Sequence, residues 1–201
     1  MMSGTQGASF VHAVSSRPDS NPMARNIEIK ARVENIDEIA RRVSAIANSG
    51  PAEIVQDDTF FNCAAGRLKL RAFPDGRGEL IFYRRADCRG PKESFYLISR
   101  TPSSCSLQEI LSLALGEAGR VEKRRMLYLV GRTRVHLDRV QGLGEFLELE
   151  VVLDDGESAE AGVAEAHVLM ERLGIGPSQL IEGAYVDLLE KRRSDRRSPS
   201  A

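Results

Sequence analysis

The sequence predicts an α+β fold, in which a largely antiparallel β-sheet carries helices on its apolar side. Three observations predict it. Several stretches alternate apolar and charged residues with a period of two, as half-buried strands do. Short turn signals join most of them, so parallel βαβ units are excluded. Helical periodicity is confined to four segments, fewer than the strands.

Taken in order, NIEIKARV (26–33) places Ile27, Ile29, Ala31 and Val33 on one side and Asn26, Glu28, Lys30 and Arg32 on the other. Ile36, Ile39, Val43 and Ile46 then recur at helical spacing, and Gly50-Pro51 is the expected stop. The stretch 57–87 reads as strands broken by turns, with Pro74-Asp75-Gly76 as the clearest hairpin signal, and ESFYLISRTP follows as a further strand. SLQEILSLALGEAG predicts a second helix with Ser106 as N-cap and Gly119 as stop. Three more strands, RVEKRRMLYLVG, TRVHLDRVQGLG and FLELEVVLD, precede two closing helices over 157–173 and 177–191. Gly142-Leu143-Gly144 lacks the phosphate-loop pattern and reads as a turn between strands.

The chain has 201 residues, enough for one substantial core. Residues 1–23, rich in Ser, Gly and Pro, read as a disordered segment; 24–191 reads as a single domain, and 192–201 as a basic flexible tail. A formal net charge of -1 gives no global field toward nucleic acid or membranes, so neither is an expected partner. Cys63, Cys88 and Cys105 are odd in number and lack metal-ligand spacing, which predicts a reducing, cytoplasmic setting without disulfides or a zinc site.

The charged faces carry the functional reading. Arg67, Lys69 and Arg71 share one face of their strand, and Lys123 and Arg125 share another. Arg134, His136 and Asp138 alternate with Val135 and Leu137; Glu148 and Glu150 alternate with Leu147, Leu149 and Val151. On one strand this is an ordinary solvated face. Repeated over five strands, with bases and acids segregated by strand, it predicts a sheet curled into a barrel with its charges in the lumen. Such a lumen suits a polyanion, because Arg forks match phosphate oxygens. The carboxylates among the bases call for a divalent cation, and Mg²⁺ or Mn²⁺ commonly bridges carboxylates to phosphates. His136 is open both to a chemical role and to structural hydrogen bonding.

NIEIKARV, RLKLR, EKRR, HLDRVQGLGEFLELEV and GAYVDLL resemble, in order, the landmarks of the CYTH or triphosphate tunnel metalloenzyme family, over about residues 25–189. The resemblance implies an eight-stranded antiparallel barrel, open at both ends, that binds triphosphate on basic side chains and Mg²⁺ or Mn²⁺ on glutamates. It implies Glu28 as a metal-side carboxylate and Lys30 as a triphosphate contact. Lys69, Arg71, Lys123, Arg125 and Arg134 would bind phosphates, with either Arg84 or Arg85. Asp138, Glu148 and Glu150 would complete the metal site, and Lys92 and Tyr185 are further candidates. The catalytic set would be Glu28, Lys30, Glu148 and Glu150. Asn26 stands where the family pattern has its first Glu. The implied activity is metal-dependent hydrolysis of an inorganic or organic triphosphate by a monomer or homodimer. Adenylate cyclase activity and non-catalytic polyphosphate binding are the alternatives.

Overall fold

The first strand, β1 (Ala24–Arg32), sends Ile27, Ile29 and Ala31 outward into full burial and Asn26, Glu28 and Lys30 inward. In a computed structural model the described residues are 24–197; the segment expected to be disordered, 1–23, and the last four residues of the tail lie outside them. Seven further strands follow: β2 (Ser49–Phe61), β3 (Arg67–Ala72), β4 (Gly78–Arg85), β5 (Lys92–Thr101), β6 (Glu117–Val130), β7 (Thr133–Val140) and β8 (Gly144–Val152). All pairings are antiparallel, and the order β1-β5-β4-β3-β2-β6-β7-β8 closes because β1 pairs with both β5 and β8. The expected α+β antiparallel barrel is what forms.

Closure decides which face is wet. The outward residues of β1, β7 and β8 (Ile27, Ile29, Val135, Leu137, Leu147, Leu149 and Val151) pack under α1 (Ile36–Ser44) and α3 (Ala159–Leu173). The helices contribute Ile36, Ile39 and Val43 from α1 and Ala166, Leu169, Met170 and Leu173 from α3. A smaller cluster joins Val121, Val140 and Phe146 to Tyr185 and Val186 at the start of α4 (Tyr185–Arg197). With the apolar face outside, the charged face has only the interior left to it.

Several boundaries differ from the expected ones. Helix α1 starts behind Asn35, whose side chain accepts the Glu38 N–H at 3.1 Å, but it ends at Ser44, before Ile46. Gly50-Pro51 does not stop it: the pair lies inside β2, where the β2–β6 register shifts between Ser49 and Ala52. Helix α2 (Ser104–Leu115) begins behind Ser103 rather than Ser106, and it stops at Gly116, whose φ of 72° suits a residue without Cβ. Gly119 instead sits within β6, where a Cβ would come 2.5 Å from Val186 Cγ2. The helix expected from Pro177 is only a 3-10 turn, Pro177–Gln179. Helix α4 starts at Tyr185 and runs through Arg197, into the segment expected as a flexible tail.

Candidate active site

The barrel encloses a cavity of about 370 Å³, within the range of small-molecule sites. Seven bases (Lys30, Lys69, Arg71, Arg85, Lys123, Arg125 and Arg134) and five carboxylates (Glu28, Asp58, Glu79, Glu148 and Glu150) line it. Strand alternation settles the choice on β4: Arg85 points inward with Ile81 and Tyr83, whereas Arg84 is exposed on the outer face, correcting its place among the phosphate contacts.

The cavity has two ends of different character. Along β6 the inward residues change from Lys123 and Arg125 to Leu127 and Leu129. Along antiparallel β2, read toward its start, Asp58 and Gln56 give way to Ile54 and Ala52; on β5, Ser94 gives way to Tyr96 and Ile98. At the basic end, Lys30 and Arg85 donate to the Gly183 carbonyl at 3.4 and 2.9 Å. Lys30 and Lys123 also sit over the Tyr185 ring, 4.1 and 5.0 Å from its centre.

Two buried aspartates hold the bases in place. Asp58 accepts from Lys69 at 2.7 Å and from Arg71 at 2.8 and 3.1 Å. Burial pushes its carboxyl up, but Arg71 and Lys69 outweigh that and hold it far below the usual carboxylate range. The shifts of the partners differ in sense because one acid serves several bases. Burial dominates for Lys69, only partly offset by Asp58, and lowers it to about 8. Asp138, an expected metal-side carboxylate, sits behind the bases and does not line the cavity. It accepts a fork of two bonds from Arg125, both 2.6 Å, one from Lys123 at 3.2 Å and one from the Tyr185 hydroxyl at 3.1 Å. Asp138 thus anchors Lys123, Arg125 and Tyr185, and it lies outside the donor cluster of His136, Glu148 and Glu150.

The carboxylates collect on β8. Glu148 binds Lys30 at 2.9 Å through Oε1 and Arg125 through Oε2; Glu150 accepts from Arg134 at 2.8 Å through Oε2. Burial raises both carboxyls, yet Lys30 and Arg125 hold Glu148 well below its ordinary value, and Arg134 with its neighbours holds Glu150 at about 2. Both are anionic at neutral pH. Burial and then Arg125 push the His136 imidazole below its ordinary value. Donor atoms of His136, Glu148 and Glu150 all lie within 4.8 Å of one another. This donor set fits a divalent cation. Glu28 stands apart from it, paired with Arg85 at 3.0 Å although in register with Glu150 across β1 and β8. Lys92 is buried but outside the cavity lining, donating to the Cys88 carbonyl at 3.3 Å. Asn26 faces the lumen with its Oδ1 buried and unpartnered.

A family model described as the CYTH domain matches residues 24–185. The chain belongs to the CYTH domain family. Its CYTH relatives include the adenylate cyclase CyaB of Aeromonas hydrophila, 24% identical over 177 residues that span 82% of this chain and 88% of the relative. Among solved structures, the PH1012 protein of Pyrococcus horikoshii OT3 is 25% identical with a TM-score of 0.73, covering 81% of this chain and 98% of that one. Hippeastrum HpAC1, a candidate adenylyl cyclase described with a dominant triphosphatase activity, shares the fold at 15% identity and a TM-score of 0.59, over 86% of this chain and 96% of its own. Sequence reasoning about this CYTH domain missed two carboxylates of the lumen, Glu79 and Asp58. The signal of Asp58 was present, since Asp is depleted in strands and Asp58 alternates with Gln56 and Phe60 on the inward face.

Proposed function

We propose that this CYTH domain is a divalent-metal-dependent phosphohydrolase acting on a triphosphate held in the lumen. The observation that carries the reading is the convergence of Lys30, Lys69, Arg71, Arg85, Lys123 and Arg125 on one cavity whose β8 wall holds Glu148 and Glu150. A triphosphate lying along these side chains exchanges their mutual repulsion for charge-assisted hydrogen bonds. Arg125, fixed in plane by the Asp138 fork, presents its remaining N–H groups to phosphate oxygens without further ordering. Glu148 and Glu150 would hold a divalent cation, which would supply charge neutralisation for the phosphoryl group. Water attacks the terminal phosphorus in line, the bond to the bridging oxygen breaks, and the basic wall holds the leaving diphosphate. In this reading Glu28, which pairs with Arg85 at 3.0 Å and lies outside the donor cluster, takes the proton of that water.

The apolar end, lined by Ala52, Ile54, Ile98, Leu127 and Leu129, favours a triphosphate that carries an organic group over the inorganic ion. Three free cysteines support a reducing, cytoplasmic setting, and no helix among the described residues is long and apolar enough to cross a membrane. A cyclase reading is supported by the name of the Aeromonas relative. There a ribose hydroxyl would replace water as the nucleophile.

Separating the products formed from ATP and from inorganic triphosphate, with Mg²⁺ or Mn²⁺, tests the reading. The expected products are phosphate and the shortened polyphosphate. Arg71→Ala should weaken triphosphate binding by roughly tenfold or more, the effect of losing one charged contact. Cyclic AMP and diphosphate as main products would replace hydrolase by cyclase. Tight binding without turnover under any divalent ion would leave only a polyphosphate-binding domain.

A further inference from the structure

We propose that His136 is itself a ligand of the metal, through Nδ1, and that it turns the site toward first-row transition ions such as Mn²⁺ and away from Mg²⁺. The inference rests on the metal-dependent reading above and adds a residue and a preference to it.

The placement follows from the sheet. His136 on β7 is the direct partner of Glu148 on β8, and Glu150 lies two residues further along the same inward face. The three side chains therefore lean on one another whatever occupies the lumen. His136 is 4% exposed, and its Nδ1 is buried with no hydrogen-bond partner. That atom lies 3.6 Å from Glu150 Oε1 and 3.9 Å from Glu148 Oε2. These separations are too long for an N–H···O bond, which falls at about 2.7–3.2 Å. They do suit donors sharing one ion: two atoms about 2.1 Å from the same cation stand roughly 3–4 Å apart at ordinary coordination angles.

The surrounding bases leave this corner to a cation. Lys30 and Arg125 hold Glu148, and Arg134 holds Glu150 through Oε2, while Glu150 Oε1 faces the imidazole. Protonated, Nδ1 is too far from either carboxylate to hydrogen-bond, and unprotonated it is repelled by both, so in either tautomer the buried nitrogen is left unsatisfied. One cation satisfies it. Mg²⁺ takes oxygen ligands and keeps its waters, so a nitrogen donor adds little for it. First-row transition ions accept imidazole more readily than Mg²⁺ does, Mn²⁺ least among them, so one nitrogen beside two carboxylates shifts the balance toward them.

The test uses the full chain and Mn²⁺ alone, without substrate. Pulsed electron paramagnetic resonance on bound Mn²⁺ should show a nitrogen coupling that changes when the histidines carry ¹⁵N. The chain has three histidines, so His136→Asn should abolish the coupling, whereas His167→Asn on α3 should keep it. Titration should show Mn²⁺ affinity falling about tenfold or more in His136→Asn, with Mg²⁺ affinity nearly unchanged. The isotope measurement needs only the native chain, so a poorly folding variant does not spoil the test. Bound Mn²⁺ without nitrogen coupling overturns the proposal, as does coupling that survives in His136→Asn or failure of the free protein to bind Mn²⁺. If triphosphate is still hydrolysed in those cases, the hydrolase reading stands without His136. Nitrogen coupling without turnover of any triphosphate would sink that reading while upholding the ligand.

Discussion

Lys69 shares Asp58 with Arg71 and feels Lys123 nearby, so its ammonium is held at about 8 against an ordinary 10.5. Between those two values the unfolded chain binds more protons than the folded one, so the contribution of Lys69 to stability rises as pH increases through that window. Triphosphate binding has the opposite dependence, because the anion favours the charged amine. Affinity should fall above pH 8, and binding there should take up a proton, measurable by calorimetry in buffers of different ionisation enthalpy. Lys69→Met should flatten both trends; an unchanged affinity profile in that variant would move the titration to another group. At this scale the sequence was legible wherever strand alternation alone decides direction, as for Lys30, Lys69, Arg125 and Glu148. It was ambiguous at Arg84 and Arg85, where two adjacent bases cannot be phased without the strand's other ends. For Asp138 alternation gives the face but not the depth, and Lys123 and Arg125 both bond to that carboxylate.

Elements were read well in their type and less well at their ends, for physical reasons visible at particular glycines. Gly116 and Gly119 are equally good helix stops by composition, and only tertiary packing separates them. Gly116 takes the positive φ that ends α2, whereas the bare backbone of Gly119 makes room for Val186 of α4 against β6. The same argument applies to Gly162 in the first turn of α3, a position where glycine should be a defect. Replacing Gly by Ala inside a helix ordinarily gains about 0.5–1 kcal/mol. Here a Cβ would stand 2.6 Å from Ile27 Cγ1 and 2.7 Å from Leu153 Cδ2, and Ile27 is fully buried in β1. Overpacking of this kind costs about 1–3 kcal/mol, so it should win. Gly162→Ala is therefore expected to destabilise the protein by roughly 1 kcal/mol on denaturant unfolding, with unchanged slope. A gain in stability would mean that α3 rides higher on β1 than this packing requires.

Over the whole molecule the charges are nearly balanced, at a formal -1, yet the lumen carries seven bases against five carboxylates. Net charge therefore concealed the site, and only its segregation by strand revealed it. Closure into a ring was less legible than the strands, because pairing of β1 with β5 joins segments some seventy residues apart and leaves no local signal. The uneven lumen has a thermodynamic cost that a polyanion removes. Bases held close together in a poorly solvated interior repel one another, and the folded state alone presents them in this arrangement. Triphosphate should thus bind the folded chain and not the unfolded one. At a concentration about a hundredfold above Kd, linkage gives about 2.7 kcal/mol of added stability, or a rise in Tm of roughly 5–10 °C for a chain of this size. Sodium chloride at matched ionic strength should not reproduce the shift, because screening weakens the repulsion without supplying bonds to Arg71 or Arg125. Thermal unfolding followed by circular dichroism, with no divalent metal present, isolates this effect from the metal site. A Tm indifferent to triphosphate, or one raised equally by the chloride salt, would show that the lumen does not hold the anion.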